Sequence, residues 1–522
     1  MKRRQFVAGL AAATSMLPLA RAKNTASGAM TAASATGGAS ATAPGATSSN
    51  AEPHITEQVA DFVVRTRYED LPADLLELGK KSILDALGLA LAGSNRAESG
   101  PIVQRYLAQL GVAESSPTHS ASSTVIGTNL RVPARFAAFA NGVAIHADDF
   151  DDTQLAVNPT RVYGLLTHPS VTALPASLSV AEALHATGRD LMLAYHLAVE
   201  VETKIAESIA PRHYEEGFHS TGTCGVFGAA TSGAKLRGFD VRQVRNAYGL
   251  AGAQSSGLRE NFGTMTKPFQ AGHAAEAGIV ADDLTALGWT AALNILEAKR
   301  GFFEAAGGGF DAAVFDRLGH PWTLVSPGVS IKPFPSGSLS HPGMTLLQKM
   351  IRENHIRADQ VEQLRVGTSA QMLNTLIHHH PQTGLEAKFS MEFCMAILLV
   401  TGGEASLAEF QDSVVQRPDV QQMISRVDFY DSPVADAAGL DKMRTIIDLH
   451  LKDGRTLSGQ ADYGKGSPQD PASFNDVIDK FNGCARYAGV SRERAERIVA
   501  MVRELESAKD IGSLTALLRK PA

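Results

Sequence analysis

The feature that most constrains the fold is a helical spacing of apolar residues over about 52–327. Within "ADLLELGKKSILDALGLALAG", residues such as Leu75, Leu78 and Ile83 recur mostly at three- and four-residue steps, which places them on one face of a helix. Gly93 closes the segment, where a glycine C-cap would end the helix. The pattern therefore predicts a large helical domain over 52–327.

Several helices of this region are built from small residues. "PARFAAFANGVAIHA" and "GHAAEAGIVADDLTALG" are rich in Ala and Gly, which suits helices packed closely together. "VTALPASLSVAEALHA" predicts a helix with Pro175 in its first turn, and Asp240 is expected to cap the helix of "VRQVRNAYGLAG". Gly222, Gly225 and Gly228 follow no strand, so close helix packing is favoured over a dinucleotide loop. No run of β-branched residues here is long enough for a sheet.

The pattern changes near residue 328. "VEQLRVGTSA", "RVDFYDS" and "MRTIIDLHLKDGRTLSGQADY" alternate apolar and polar residues, as half-buried strands do, and Asp453-Gly454 predicts a hairpin turn. A helical stretch, "KFSMEFCMAILLVTG", lies between them. We predict a smaller α+β lid domain over 328–467 and C-terminal helices over 468–522 that return to the helical domain. The predicted fold is therefore mainly α.

The N-terminal residues have the layout of an export signal. "MKRRQFVAGLAAATSMLPLARA" combines a basic start, a short apolar run and an A-x-A ending, which is typical of a secretory signal, and Arg3-Arg4 predict the twin-arginine type. A chance basic N-terminus is the alternative. Residues 23–51 are almost wholly Ala, Ser, Thr and Gly and predict a disordered linker. We expect cleavage after residue 22, a periplasmic location and no membrane contact after cleavage.

Charge and cysteine usage argue against several classes of protein. The formal net charge is −6 with no basic run past the N-terminus, so no nucleic-acid partner is expected. Cys224, Cys394 and Cys484 lie far apart and form no CxxC pair, which argues against a zinc ribbon, an iron–sulfur cluster or a disulfide framework. The sequence also contains no G-x-S-x-G nucleophile elbow.

Four aspartates crowd into "HADDFDDTQL". Carboxylates this close repel one another and need compensation from water, a metal ion or positive charge from elsewhere in the chain. Asp148, Asp149 and Asp152 match the D-D-x-x-D pattern by which helical terpenoid synthases hold Mg²⁺, although no second metal motif of that kind follows. A solvated helix end or an Asx turn is the alternative.

Histidines and lysines further along the chain are the other candidates for chemistry. His219 precedes a glycine-rich helix, and a helix start lowers the proton affinity of a histidine, which could then act as a neutral base. Lys267 leads into a small-residue helix, and Lys332 opens the rigid loop "KPFPSGSLSHPG". His341 follows in that loop, and we predict that it contacts the substrate. A buried histidine bonded to backbone and solvated lysines are the alternatives.

Five segments together resemble the MmgE/PrpD family. They are "HADDFDDT…THPS", "GFHSTGTCGVFGAA…KLRG", "GLRENFGTMTKPFQAGHAAEAG", "KPFPSGSLSHPGM" and "LKDGRTLSGQADYGKGSPQDP", in order over about 55–515. The resemblance implies a large helical domain with a smaller α+β lid, usually in a homodimer, an active site between the domains, and no metal or organic cofactor. Activities in the family include dehydration of 2-methylcitrate, decarboxylation of cis-aconitate and epimerisation of iminodisuccinate.

The resemblance also implies a set of site residues. The matching motif positions are Asp149, Thr153, His168, His219, Lys267 and Lys332. A substrate of this class carries its reactive proton beside a carboxylate, so a histidine that titrates near neutral pH is a suitable base. A fixed lysine cation would stabilise the charge that develops on that carboxylate. Asp149 would orient a histidine and balance the lysines, while Thr153 would bind substrate.

We therefore expect a cofactor-independent lyase that dehydrates a small, 2-methylcitrate-like polycarboxylate by α-proton abstraction. An epimerase or decarboxylase of a related dicarboxylate is the alternative within the family. Outside it, the alternatives are a Mg²⁺-dependent terpenoid synthase and a non-catalytic exported polycarboxylate-binding protein. The segment "QLAVNPTRVYGLL" (154–166) separates Thr153 from Thr167, whereas the corresponding motifs lie close together in many relatives. We expect it to reshape one wall of the pocket.

Overall fold

The computed structural model describes residues 54–112, 122–154, 167–439 and 441–520. The predicted signal and linker, and all but the first residue of the 154–166 segment, lie outside the described residues. Helices dominate the described chain up to residue 327, as the apolar spacing predicts. They are α1 (Ile55–Arg65), α2 (Ala73–Arg96), α3 (Ser99–Gln109), α4 (Ala134–His146), α5 (Ser170–Ala183), α6 (Gly188–Ser208), α7 (Arg212–Glu215), α8 (Ser220–Leu236), α9 (Val241–Gly252), α10 (Thr266–Ala286) and α11 (Phe302–Gly307).

Four of these helices, α4, α5, α8 and α10, pack against one another at very short range. A Cβ atom on Gly272 of α10 would lie 2.5 Å from the Phe139 oxygen of α4, and one on Gly142 of α4 would lie 2.8 Å from the Gly272 Cα. A Cβ on Gly225 of α8 would lie 2.5 Å from Thr172 of α5. Only glycine permits such approaches, so the prediction of close helix packing is confirmed.

Two details of the predicted helices are wrong. Gly93 does not end α2, which continues to Arg96. The glycine instead admits the backbone of α4, because a Cβ there would lie 1.9 Å from the Ala144 oxygen. Pro175 lies in the second turn of α5 and not in the first. The place of Gly93 within α2 is set by this contact between helices, which the local sequence pattern does not contain.

A small sheet interrupts this helical region, against the prediction that none would form. Strand β1 (Ser122–Thr124) pairs antiparallel with β2 (Arg131–Pro133). Each strand has three residues, too few to produce a readable alternation. The predicted cap of α9 is confirmed, since the Asp240 carboxylate accepts a 2.8 Å hydrogen bond from the Gln243 N–H.

A four-stranded sheet lies in the segment after residue 328. Its strands are β3 (Val361–Thr368), β4 (Val427–Asp431), β5 (Thr445–Leu451) and β6 (Thr456–Ala461), in the order β4-β3-β5-β6. Strand β3 pairs parallel with β4 and antiparallel with β5, and the predicted hairpin joins β5 to β6. The accompanying helices are α12 (His341–Asn354), α13 (Ala370–Leu373), α14 (Gly384–Ala387), α15 (Met391–Thr401), α16 (Asp412–Val415), α17 (Pro418–Ile424) and α18 (Pro433–Asp436).

This segment has an apolar core of its own. Alternate residues of β5, such as Ile447 and Leu449, are buried and share that core with Phe393 and Ile397 of α15. Every second residue of β5 is buried, and α15 is buried almost completely. Both elements could therefore be predicted from the apolar pattern. The described chain thus has a mainly α architecture with a smaller α+β part.

The last helices pack on the first part of the chain. They are α19 (Phe474–Tyr487), α20 (Arg492–Arg503) and α21 (Gly512–Leu518). Phe481 and Cys484 of α19 share a core with Leu87 of α2, and a Cβ on Gly88 would lie 3.0 Å from the Phe481 ring. Among the described residues, none of the helices combines the length and apolarity needed to cross a bilayer.

Candidate active site

Three of the four clustered aspartates have ammonium or imidazole partners, while the fourth, Asp152, bonds to the uncharged Ser170 and has a pKa that burial raises to about 7. The pairs are Asp148 with Lys388, Asp149 with Lys267 and Lys332, Asp151 with His146 and His168, and Asp152 with Ser170. A D-D-x-x-D magnesium motif requires its carboxylates to converge on one ion. Here they are held by different side chains, so the compensation comes mainly from distant parts of the chain.

Asp149 is the centre of a buried charge cluster. Its carboxylate forms ion pairs with the Lys267 ammonium and, at 3.1 Å, with the Lys332 ammonium. Lys332 Nζ also donates to the Asp149 backbone oxygen at 2.8 Å. All three side chains are at least 95% buried. Burial works to raise the pKa of Asp149, but the two ammonium groups outweigh it and hold that pKa far below its usual range.

The backbone at Asp149 is shaped for this role. Its φ angle is 49°, in the left-handed region that aspartate tolerates better than most residues. The turn follows directly after α4, so His146 at the end of that helix lies beside the charge cluster. Lys267 Nζ donates to His146 Nε2 at 3.0 Å, in addition to its bond with Asp149. Burial lowers the pKa of Lys267.

Asp151 lies between two imidazole rings. Its Oδ1 is 2.9 Å from His146 Nδ1 and its Oδ2 is 2.7 Å from His168 Nδ1. All three groups are buried. Burial, and then the Lys267 charge, lower the pKa of His168 to about 3. Burial works to raise the pKa of Asp151, but the His146 and His168 rings outweigh it and keep that pKa well below its ordinary value.

His219 is the residue immediately before α8, as predicted. Its Nδ1 is 2.9 Å from the Gln270 oxygen, while its Nε2 is buried and has no hydrogen-bond partner within the described chain. Burial, and then the Lys267 charge, place the pKa of His219 well below its usual value. Burial, and not the helix start, is thus the main cause that lowers the pKa of His219.

These groups meet where three helices begin. His168 lies two residues before α5, His219 immediately precedes α8, and Lys267 is in the first turn of α10. Helix N-termini carry partial positive charge and unpaired N–H groups. Their convergence adds positive potential to that of the lysines, which favours an anionic ligand.

A small cavity of about 40 Å³ opens beside the charge cluster. Its lining includes Asp149, Thr153, His168, Lys267, Lys332, Tyr214, Phe262, Ser338 and Phe389. The Phe262 and Phe389 rings stack at 5.5 Å, and the Lys267 ammonium lies 5.3 and 5.4 Å from their centroids. The wall therefore combines cations with aromatic faces. A larger cleft of about 620 Å³ lies on the other side of Lys332 and holds none of the site histidines.

The structure thus brings together most of the predicted site residues. Thr153 Oγ1 contacts His168 Nδ1 at 3.2 Å and accepts from Ser338 at 3.1 Å. Two predicted residues, His219 and His341, do not line the cavity. The His219 ring lies 6.0 Å from the His146 ring and 6.5 Å from the His168 ring. His341 Nε2 donates to the Ser336 oxygen at 3.2 Å, and its ring packs on Phe334. His341 therefore braces the loop that carries Lys332.

Sequence reasoning missed several residues of the site. His146 and Asp151 lie in the same stretch as Asp149, so the signal was present but could not tell which carboxylate faces which ring. Tyr214, Phe262 and Phe389 come from three separate elements and carry no motif that points to the cavity. Such residues are found only from the tertiary structure.

The ends of the 154–166 segment lie beside the site. The Gln154 N–H donates to the Thr167 oxygen at 2.9 Å, and the Thr167 hydroxyl donates to the Gln154 side chain at 3.2 Å. Residues 155–166 therefore leave and rejoin the described chain next to Thr153 and His168. The prediction that they reshape a pocket wall falls outside the described residues.

Four of the site residues also have the spacing of a metal site. Ligand atoms of His146, Asp149, Asp151 and His168 lie within 4.8 Å of one another. Two ammonium groups already contact Asp149, however, and Lys267 also occupies His146 Nε2. A divalent cation here would be repelled by both lysines at close range. The donor set fits an organic anion better than a metal ion.

Fold and site together define a mainly α protein with a buried acid–base centre made of histidines, carboxylates and lysines. Two family models match the chain, the MmgE/PrpD N-terminal domain over residues 57–314 and the MmgE/PrpD C-terminal domain over residues 334–507. The protein belongs to the MmgE/PrpD family, as the sequence motifs indicate.

Its relatives include cis-aconitate decarboxylases of animals and fungi. The chain is 29% identical to the enzyme of Mus musculus over 90% of its own length and 94% of the relative's. It is 28% identical to the Homo sapiens enzyme, with 90% and 95% covered. Identity to the Aspergillus terreus enzyme is 24%, with 91% and 97% covered. The family and the relatives support an enzyme of decarboxylase or dehydratase type.

Proposed function

We propose that the protein is a lyase that acts on a small di- or tricarboxylate in the cavity at Asp149. The observation that carries this proposal is the pair of buried ammonium groups, Lys267 and Lys332, on one carboxylate beside His168. A buried cation pair is costly unless an anion compensates it, and a substrate carboxylate can share that role with Asp149.

The side chains support proton transfer next to a bound carboxylate. The lysines would hold that carboxylate and stabilise the charge that appears on it when a neighbouring carbon loses a proton or CO₂. His168 Nε2 would move the proton at that carbon, with Asp151 behind the ring. One positioned acid or base contributes about 10²–10⁴-fold in rate. The lysines supply the positive charge that a metal ion would otherwise bring.

Decarboxylation of cis-aconitate is the first reaction to test, because relatives that cover nine-tenths of the chain carry that name. In this reaction the C–CO₂ bond breaks and its electron pair is delocalised onto the neighbouring carboxylate. His168 Nε2 takes a proton from solvent and passes it to carbon. Dehydration of a 2-methylcitrate-like substrate is the second candidate. The neutral state of His168 favours it, since the Nε2 lone pair can take the carbon proton and pass it to the leaving hydroxyl.

The test is a panel of cis-aconitate, 2-methylcitrate, citrate and iminodisuccinate, incubated with the protein in EDTA and in D₂O. We expect turnover of at least one compound that EDTA leaves unchanged. CO₂ release identifies decarboxylation, loss of water identifies dehydration, and deuterium uptake without either identifies epimerisation. Binding of a compound without exchange or product would favour the non-catalytic alternative. Activity abolished by EDTA and restored by Mg²⁺ would contradict the metal-free proposal.

We further propose that the protein is exported and forms a homodimer. The signal-like N-terminus supports export, and the family resemblance supports the dimer. Mass spectrometry of the protein purified from its periplasmic fraction should give an N-terminus near residue 23. Light scattering during size-exclusion chromatography should give twice the subunit mass. A full-length cytoplasmic chain or a monomer would contradict the respective proposal.

A further inference from the structure

The two histidines of the proposed mechanism have different partners behind their rings. His168 Nδ1 faces the Asp151 carboxylate at 2.7 Å, while His219 Nδ1 faces the Gln270 amide at 2.9 Å. The partner of one ring nitrogen decides which tautomer the ring adopts and how well it carries a positive charge. Each partner therefore affects which ring nitrogen of its histidine carries the proton and whether that ring can become an imidazolium.

The Gln270 amide is oriented by a second hydrogen bond. Its Nε2 donates to the Leu258 oxygen at 3.0 Å, so the carbonyl end of the amide is the end that faces His219. A carbonyl oxygen can only accept, and His219 Nδ1 must therefore carry the proton. His219 Nε2 then has a free lone pair. That atom is buried, and no partner for it exists within the described chain.

Asp151 is similarly oriented by His146. Lys267 donates to His146 Nε2, so His146 Nδ1 carries the proton and donates to Asp151 Oδ1. The other carboxylate oxygen lies 2.7 Å from His168 Nδ1, which donates its hydrogen bond to the Asp152 backbone oxygen at 3.2 Å. His146 is thus a neutral link between Lys267 and Asp151. The Asp151 charge faces His168 and can stabilise an imidazolium there.

The surrounding charges do not remove this difference. His168 faces Lys267, Lys332, His146 and Asp151, and His219 faces Lys267, His146 and His168. Lys267 disfavours a proton on either ring, and Lys332 disfavours one on His168. A carboxylate that offsets them lies directly behind His168, whereas the group behind His219 is an uncharged amide.

We propose that Asp151 and Gln270 are positioning residues that make His168 the proton carrier and keep His219 neutral. His219 Nε2 then accepts a hydrogen bond from an O–H group of the bound polycarboxylate. During dehydration the substrate C–H bond breaks as the His168 Nε2–H bond forms, and that proton then passes to the leaving hydroxyl, which departs as water. In decarboxylation His168 Nε2 first takes a proton from solvent and then gives it to carbon. Asp151 stays ionised throughout. The assigned reaction step rests on the proposed function. The assigned tautomers do not depend on it.

The tautomers can be measured without any substrate. Protein labelled with ¹⁵N-histidine is examined by long-range ¹H–¹⁵N correlation, and His219→Gln and His168→Gln variants assign the two rings. We expect both wild-type rings to be neutral with the proton on Nδ1 at pH 7. An Nε2–H tautomer or an imidazolium at His219 would overturn the proposal. This result is independent of whether any polycarboxylate is turned over.

Gln270→Glu places a carboxylate behind His219 and is the sharpest variant. The pKa of His219 should then rise above its wild-type value, visible as a ring that takes up its proton at a higher pH in a titration series. Gln254→Glu is the matched control, since the Gln254 side chain bonds only to the Leu250 and Ala277 oxygens among the described residues. An equal rise in the control, or no rise in Gln270→Glu, would overturn the assignment.

The kinetics of the Asp151→Asn variant test the proposed role of Asp151 in positioning His168. We expect kcat to fall at least 100-fold with KM changed less than threefold, and the pH optimum to move toward acid because the His168 imidazolium loses its counter-charge. Gln270→Ala should lower kcat about tenfold without moving the pH profile. An unshifted optimum in Asp151→Asn, with turnover otherwise intact, would overturn the role of Asp151 and leave the proposed function standing.

Discussion

Asp149 and Asp148 are neighbours in the chain with different surroundings. Asp149 holds two buried ammonium groups at the cavity, while Asp148 pairs with Lys388 at 3.0 Å and does not line the cavity. Their spacing in the sequence does not distinguish Asp149 from Asp148, and both fall within the D-D-x-x-D pattern. The side chains that distinguish them arrive from α10, from the loop at Lys332 and from Lys388, all more than a hundred residues away.

This pair gives a matched test of the charge cluster. Asp149→Asn removes the carboxylate that both lysines share, so we expect kcat/KM on the best substrate of the panel to fall by about 10²-fold or more. Asp148→Asn should stay within about fivefold of the wild type, since its partner lies outside the cavity. Steady-state kinetics of both purified variants decide between them. Equal losses would mean that Asp149 has no special role.

Helices α4 and α10 position two side chains of the candidate site. Their spacing sets the distance from His146, at the end of α4, to Lys267, in the first turn of α10, and that spacing depends on Gly142 and Gly272. Composition correctly predicted small-residue helices. The identity of the facing partners followed only from the packed structure.

Gly272→Ala should force the two helices apart. We expect a loss of about 1–3 kcal/mol in the free energy of unfolding, together with lower activity because Lys267 moves away from His146. Gly483→Ala is the control, since a Cβ there meets nothing within 4 Å, and it should be neutral or stabilising by up to about 1 kcal/mol. Urea denaturation measures both variants. Unchanged stability in Gly272→Ala would contradict the close approach.

At the scale of the whole molecule, the cavity is too small for its proposed ligand. A volume of about 40 Å³ corresponds to little more than one water molecule, whereas ligand pockets commonly measure roughly 300–1,000 Å³. Its walls come from both parts of the fold, with Phe262 and Lys267 on one side and Ser338 and Phe389 on the other. Binding therefore requires these walls to separate and then close again.

Hydrogen exchange should report this opening. With saturating substrate or product, we expect slower exchange in peptides that cover 331–340 and 375–389. Peptides from α20 should not change, because this helix packs on α2 away from the cavity. Equal exchange with and without ligand at the cavity walls, under conditions where binding is measured independently, would contradict a site that opens.

Buried histidines should also shape the acid stability of the whole molecule. Burial lowers the pKa of His213, which lies outside the cavity, to about 4, against about 6.5 in the unfolded chain. Between these values the unfolded chain binds the proton and the folded one does not, so stability falls as the pH falls. The effect of this one group is at most about 1.4 kcal/mol per pH unit.

His213→Gln should therefore lose less stability than the wild type between pH 6.5 and 4.5. The measurement is urea denaturation at several pH values, compared with the exposed His380→Gln as control. Only the slope against pH is diagnostic, because the substitution also changes the contacts that His213 makes with Ala306 and Thr223. Parallel curves for all three proteins would contradict the role of His213.

The sequence alone determined the class of elements, their order and the family. Apolar spacing, small-residue helices and a hairpin signal are local properties, and five motifs in order predicted most residues of the candidate site. The tertiary structure decided which carboxylate pairs with which cation. It also placed His146, Asp151 and Gln270 in the candidate site and His341 outside the cavity lining. The physical reason is that charge pairing in a buried site acts through space over a few ångströms, between residues that are far apart along the chain.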